Sequence, residues 1–181
     1  MTILPGTGQS YPLKISLQLI AEIEGGYGSL YQLAENLLDE SLPFSTVAGI
    51  LKTLYRHAGC GMTEEALDDF ILRQPGAELL TAVLLEILEP IDRMGAVMPG
   101  GDPDSPKRRI SLKYIRMFFM GVLGWPPLTV MQDADIEDLA DAYEGYACFH
   151  GLAAAQPSHP PAQFLHEMMK RFPDIGDSEH E

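Results

Sequence analysis

The spacing of the apolar side chains restricts the fold more than any other feature of this sequence. From Leu30 to Leu38, and again from Val47 to Tyr55, apolar residues occupy the first, fourth, fifth, eighth and ninth positions. This spacing places them on one side of an α-helix. It returns at Leu67–Ile71, Leu80–Ile91 and Ile136–Ala147. The sequence therefore predicts an all-α fold built from short amphipathic helices.

The N-terminus departs from this pattern. Residues 1–12 are rich in glycine, proline and polar side chains, which predicts a loose lead-in. Apolar residues then alternate with polar ones from Leu13 to Leu19, as in a β-strand, whereas Leu17–Ile23 also fits a helix. A short extended piece at Tyr11–Ile15, followed by a helix that starts at Ser16, satisfies both patterns. The fold class thus allows a short N-terminal strand.

Glycine, proline and hydroxyl side chains mark the expected helix ends. The sequence GGYG at Gly25–Gly28 is expected to break the first helix, because glycine adopts the backbone angles of a helix end. Ser29 and Thr63 stand where N-terminal capping residues belong. Pro90 is expected to kink or end the fifth helix, since proline lacks the donor that a helix interior needs.

A Gly/Pro-rich stretch, GAVMPGGDPDSPKRR, separates two helical regions. No regular helix or strand suits residues 95–109. We therefore predict two small helical bundles joined by a linker. The first bundle covers residues 1–94 and the second covers 110–173, followed by a disordered acidic tail at 174–181.

The second region begins with a stretch that is apolar on nearly all sides, Ile110–Leu123, and such a helix must be covered on most of its surface. Lys107–Arg109 stand at the N-terminal end of this helix, where the helix dipole disfavours positive charge. We therefore predict that they form ion pairs with acidic residues at Asp133–Asp141. Asp133 or Asp135 can cap the next helix. Pro161 suits the first position of a last helix.

Composition excludes several classes of protein. The formal net charge is −14 and the pI is near 4.6, which argues against nucleic-acid and anionic-membrane partners. No apolar run approaches the length of a membrane span, and the first residues lack the pattern of a signal peptide. Two cysteines, Cys60 and Cys148, without metal-ligand spacing fit a reduced cytoplasmic protein.

The acidic cluster resembles a calcium loop only superficially. Asp133, Asp135, Glu137 and Glu144 occupy loop positions 1, 3, 5 and 12, but position 6, where the loop needs glycine, holds Asp138. Within the same stretch, an apolar helix stripe is formed by Ile136, Leu139, Ala140 and Tyr143. A helix here favours capping and a solvated acidic face over metal binding.

His57 and Cys60 lie three residues apart at a helix end, as a thiol–imidazole pair would. No orienting carboxylate or oxyanion hole is evident beside them, so a helix-terminal histidine near a small buried cysteine is the favoured interpretation. No catalytic, cofactor-binding or metal motif is present, and we predict a protein that is not an enzyme and needs no cofactor.

Aromatic and methionine side chains instead indicate contacts with another protein. Methionine provides soft, adaptable contact surface, and amphipathic helices of this kind bind helical partners in grooves. The alternative is that the same residues pack against each other in the core. The predicted partner-binding residues are Phe118, Phe119, Met120, Trp125, Phe164, Met168, Met169 and Phe172.

Residues 10–75 resemble a family of small phage proteins, the tail proteins of gene transfer agents. The resemblance rests on a helix with Leu17, Ala21, Ile23 and Glu24, on the sequence SLYQLA after the glycines, and on helix patterns. One of these patterns is a helix that ends in the sequence Leu54–Gly61. The other is the acidic start of the next helix, at Thr63–Glu65.

The second region is similar to the next small protein in such tail gene clusters. It shares the turn at Leu123–Pro126, Met131 and the helix start at Ile136–Leu139, whereas Gln132 replaces the family threonine and the tryptophan comes earlier. Both families are grouped with tail assembly chaperones. The resemblance implies a non-enzymatic role in a bacterial host: binding the tape-measure protein, recruiting tail-tube subunits, and possible self-association. An acidic helical adaptor unrelated to tails is the alternative.

Overall fold

The computed structural model describes residues 2–6, 9–96 and 110–152. The fold is mostly helical and begins with a short antiparallel sheet of β1 (Thr2–Pro5) and β2 (Ser10–Leu13). The α-helices are α1 (Leu17–Tyr27), α2 (Leu30–Leu38), α3 (Phe44–His57), α4 (Glu64–Leu72), α5 (Gly76–Ala96), α6 (Leu112–Met117) and α7 (Ile136–Phe149). Two π-helical turns, Phe118–Val122 and Thr129–Asp133, lie between α6 and α7.

The N-terminal strands correct the prediction of a loose lead-in. Thr2 pairs with Leu13, and alternate side chains such as Leu4 and Leu13 point into the core. The hydroxyl of Tyr55 on α3 donates a hydrogen bond to the carbonyl oxygen of Pro5 at 2.7 Å. Because buried backbone groups need partners, this contact ties the strand to the helices. The prediction was wrong because each strand has only four residues, and Pro5, Gly6 and Pro12 give this stretch the composition of a loop.

The predicted helix starts are confirmed. Ser16, Ser29 and Thr63 each accept a hydrogen bond from the backbone N–H three residues ahead, at 3.3 Å, and so cap α1, α2 and α4. The end of α1 is later than predicted. The helix continues through Gly25 to Tyr27 and stops at Gly28, whose φ of 99° is unfavourable for other residues.

Pro90 does not end α5, which continues to Ala96. The apolar side chains on either side of Pro90, including Ile87, Ile91 and Met94, are buried. Their packing outweighs the hydrogen bond that proline removes, which is worth about 1 kcal/mol. The predicted linker therefore begins inside α5, and residues 97–109 lie outside the described structure.

A division into two separate bundles is not confirmed. The buried side chains from Ile110 to Tyr143 belong to the same hydrophobic core cluster as those of the preceding helices. α7 packs against α5, and the second π-helical turn contacts α1. The physical reason is that the apolar faces of α5 and α7 cover each other. The predicted last helix and acidic tail, residues 153–181, lie outside the described structure.

Candidate partner-binding surface

The segment that carries the predicted contact residues is not a single regular α-helix, because α6 is followed directly by a π-helical turn. Ser111 caps α6 by accepting the Tyr114 N–H at 3.3 Å. The predicted helix of residues 110–123 then changes to a π-helical turn, closed by a hydrogen bond from the Leu123 N–H to the Phe118 carbonyl at 3.1 Å. Gly124, with a φ of 69°, allows the chain to turn. Such π-helical turns are rare and often occur at functional sites.

The two adjacent rings of this turn, Phe118 and Phe119, contact each other edge-on with centroids 5.3 Å apart, and each has further aromatic neighbours. Phe118 packs edge-on against Tyr143 and Tyr146 of α7, with ring centroids 4.7 and 5.0 Å away. Phe119 contacts the Trp125 ring at 5.0 Å. Edge-to-face aromatic pairs add stability beyond the area they bury. The turn therefore fixes the segment against α7.

Tyr143 is buried within this aromatic cluster. Burial, together with the adjacent Tyr114, which also forms a hydrogen bond with it, raises the pKa of Tyr143 from 10 to about 12. The neutral form of the phenol is therefore the form that the folded chain stabilises. Tyr55 on α3 behaves in the same way: its burial raises the pKa to about 12.

The structure places the first four predicted contact residues at different depths. Phe119 is fully buried and Phe118 is nearly so, whereas Met120 and Trp125 are half-buried and pack against the core. Phe118 and Phe119 thus lie in the core, as the alternative interpretation predicted. Whether the set binds a partner stays a prediction. The other four, Phe164, Met168, Met169 and Phe172, lie outside the described residues.

Other apolar side chains of the segment face outward. Met117, Val122 and Leu128 are each about three-fifths exposed. We call the exposed and half-buried apolar side chains of this segment, taken together, the 112–133 surface. Its half-buried members are Leu112, Met120, Leu123, Trp125 and Met131. Sequence reasoning missed the exposed three, because a stretch that is apolar on all sides gives no sign of which side faces water.

The 112–133 surface also differs from the rest of the chain in charge. No aspartate or glutamate occurs from Ser105 to Gln132, although the whole protein has 26 acidic residues. Lys113 and Arg116 are exposed on α6. Within the described residues neither forms an ion pair. The surface is therefore apolar with two free positive charges, on a strongly acidic protein.

An arginine that sequence reasoning did not single out holds α7 in place. Arg93, near the end of α5, binds Glu137, Asp141 and Glu144 at 2.6, 2.6 and 2.9 Å. Burial lowers the pKa of Arg93, but the hydrogen bond to Glu137 and the attraction of Glu144 outweigh it and raise the pKa overall. The expected ion pairs from Lys107–Arg109 lie outside the described residues.

Asp135 makes the second connection between α7 and the preceding chain. Its carboxylate accepts the Ile15 N–H at 3.0 Å and the Glu137 N–H at 3.2 Å, while the Ile136 N–H donates to the Ile15 carbonyl at 2.7 Å. The Asp138 carboxylate accepts the Asp135 N–H, which completes a capping box. The predicted capping role of the acidic cluster is thus confirmed at Asp135.

The remaining candidate chemistry has structural partners. His57 pairs with the Glu22 carboxylate at 2.8 Å, a neighbour that the sequence did not reveal. Cys60 is half-buried and packs against the core. In the parts of the chain that the structure describes, no group of three or more histidine, cysteine, aspartate or glutamate side chains is placed to hold a metal ion.

No protein-family model matches the chain, and no curated protein or solved structure is significantly similar to it. Among the described helices, none combines the length and the apolarity that crossing a membrane requires. The role of the 112–133 surface therefore has to be inferred from its own chemistry and from the sequence.

Proposed function

We propose that this protein is a non-enzymatic tail assembly chaperone that binds an apolar helical partner through the 112–133 surface. The resemblance of its sequence to small tail proteins motivates the choice of partner: the tape-measure protein first, and tail-tube subunits recruited to it. The observation that supports a binding role is the exposure of Met117, Val122 and Leu128 in one short segment. Exposed apolar side chains that lie close together mark binding surfaces more often than scattered ones.

The chemistry of the surface suits a helix. Methionine and leucine side chains adapt to different neighbours, so one surface accepts the varied apolar faces of a long helical protein. Lys113 and Arg116 attract acidic side chains that flank such a face. The acidic remainder of the chaperone keeps the complex soluble. Binding of this kind uses no cofactor and takes place in the bacterial cytoplasm.

Co-expression with the product of the neighbouring long tape-measure gene tests the proposal. We expect the tape-measure protein to become soluble and to co-purify with the wild-type chain. Met117→Asp combined with Leu128→Asp should abolish both effects, because two carboxylates would be desolvated in the interface. Leu72→Asp is the matched control, since Leu72 on α4 is as exposed as Met117.

Two outcomes would contradict the proposal. If the wild-type chain neither co-purifies with the tape-measure protein nor increases its solubility, the function is wrong, and an acidic adaptor of another process becomes the better description. If Leu72→Asp abolishes binding and the double substitution does not, the function stands but the surface is wrong.

A further inference from the structure

Exposed apolar side chains also lie at the turn between α2 and α3, residues 38–44, which we call the 38–44 turn. Leu38 is 78% exposed and Phe44 is 54% exposed, so apolar side chains face outward on both sides of the turn. Asp39 and Glu40 between them are exposed, and neither forms an ion pair within the described residues. The turn therefore combines uncovered apolar side chains with two unpaired negative charges.

The 112–133 surface has the same character with the opposite sign of charge. On α6, Arg116 and Met117 lie three and four positions after Lys113, so the two unpaired cations share one side of the helix with an exposed apolar side chain. Each of the two segments thus offers apolar contact area, and each offers the charges that the other lacks.

The separation of charge extends well beyond these two segments. No lysine or arginine occurs from Ile15 to Leu51, a stretch with five acidic residues, whereas no aspartate or glutamate occurs from Ser105 to Gln132. Opposite potentials attract two surfaces and fix how they meet. The net charge of −14 otherwise makes two copies of the chain repel each other. The 38–44 turn of one copy is therefore matched in charge to the 112–133 surface of another.

We propose that this protein self-associates by docking the 38–44 turn of one copy on the 112–133 surface of the next. The apolar side chains of the turn pack beside Met117, and its two carboxylates pair with Lys113 and Arg116. Because two different surfaces meet, the contact is heterologous. The turn is short, so the contact belongs to the weak class of interfaces, with a dissociation constant on the order of 10–100 µM. The inference does not rest on the proposed function, since it concerns the free chain.

Analytical ultracentrifugation of the full-length chain, from about 1 µM to about 1 mM, measures this association without any partner. Asp39→Lys with Glu40→Lys should raise the dissociation constant at least about tenfold, because two attractive pairs become repulsive. Both substitutions make the net charge of −14 less negative, so a nonspecific effect of charge would strengthen the association instead. The matched control is Glu65→Lys with Asp69→Lys on α4, where both carboxylates are exposed and without an ion pair in the described part of the chain.

The reversal on the other surface, Lys113→Glu with Arg116→Glu, should weaken the association by a similar factor. Its control is Lys14→Glu with Arg73→Glu. Among the described residues these two exposed cations also lack an ion pair, and the control changes the net charge by the same amount. We expect both control variants to associate as the wild type does.

The chain that carries all four reversals, Asp39→Lys, Glu40→Lys, Lys113→Glu and Arg116→Glu, tests whether the two segments meet. It has the wild-type net charge, and its turn again faces a surface of opposite charge, so the dissociation constant should return to within about threefold of the wild type. Failure of this chain to associate, when each pair of reversals alone weakens the association, would overturn the proposal. So would a wild-type chain that stays monomeric up to about 1 mM, or control variants that weaken the association as much as the reversals do.

Discussion

Residues 2–96 and residues 110–152 share one core but present different surfaces. In the first region, regular helices bury most of their apolar side chains, although Leu38, Leu72 and Leu85 are at least as exposed as Met117, and many acidic side chains lie on the outside. In the second region, two π-helical turns interrupt the helical pattern, and residues 110–132 contain no acidic side chain. This difference in charge and regularity supports our proposal that the second region carries the binding surface and that the first region supports it.

The two regions are nevertheless one folding unit. The ion pairs of Arg93 and the hydrogen bond from the Ile15 N–H to the Asp135 carboxylate connect them at separate points. In addition, α7 packs against α5. The second region is too small to bury its own apolar side chains, so it depends on the first. Changes at the connections should therefore destabilise the whole chain, whereas changes on the 112–133 surface should not.

The largest loss of stability is expected for Phe119→Asp. Phe119 is fully buried, so the substitution removes a large apolar side chain and places an unpaired carboxylate in the core. We expect a loss of more than about 4 kcal/mol, enough to unfold the chain. Met117→Asp, two positions earlier but exposed, should change stability by less than about 0.5 kcal/mol. Urea unfolding followed by circular dichroism measures both, and equal losses would remove the distinction between core and surface.

The second largest loss of stability is expected for Asp135→Ala. The substitution removes the cap of α7 and leaves the buried Ile15 N–H without its acceptor, so the free energy of unfolding should fall by about 3 kcal/mol. Asp138→Ala removes only the reciprocal bond of the capping box and should cost about 0.5–1 kcal/mol. Similar small losses for both substitutions in chemical denaturation would mean that the bond to Ile15 does not join the regions.

Arg93→Met should have a smaller effect, because the ion pairs are partly exposed. Three carboxylates on one face of α7 would repel each other without the guanidinium, and we expect a loss of about 1–2 kcal/mol that shrinks in high salt. Arg116→Met is the control, since Arg116 has no ion pair within the described residues, and it should have almost no effect. Thermal unfolding at low and high salt is the measurement, and a loss for Arg93→Met that does not depend on salt would contradict this role.

The smallest difference is expected at alkaline pH. The pKa of Tyr143 is raised from 10 to about 12, so its contribution is complete below pH 10 and is lost as pH rises toward 12. Tyr55 follows the same course. Tyr143→Phe should therefore lose less stability between pH 10 and 12 than the wild type does. Denaturant midpoints across this range test the prediction, and parallel curves would show that Tyr143 does not contribute.

Local patterns predicted the helices and their caps, because both depend on residues close in sequence. Ser29 and Thr63 are examples. β1 was missed because four residues are too few for alternation to be visible, and the glycines and prolines around it are typical of a loop. Pro90 does not end α5, because a residue's local preference yields to packing on both sides of it.

The candidate surface was predicted only in outline. The sequence indicated an aromatic and methionine-rich segment, but the π-helical turn that buries Phe118 and Phe119 leaves no periodic signature. The exposure of Met117 and the pairing of Arg93 with α7 depend on contacts between distant parts of the chain. Such contacts are decided by tertiary packing, which the spacing of apolar residues does not contain.

Hydrogen exchange of the complex tests the binding surface most directly. The exchange rates of backbone amides are compared in the free chain and in the chain bound to the tape-measure protein. We expect new protection within or beside residues 112–133 and no change in α2–α4. New protection confined to α2–α4, with residues 112–133 unchanged, would contradict the assignment of the second region as the binding surface.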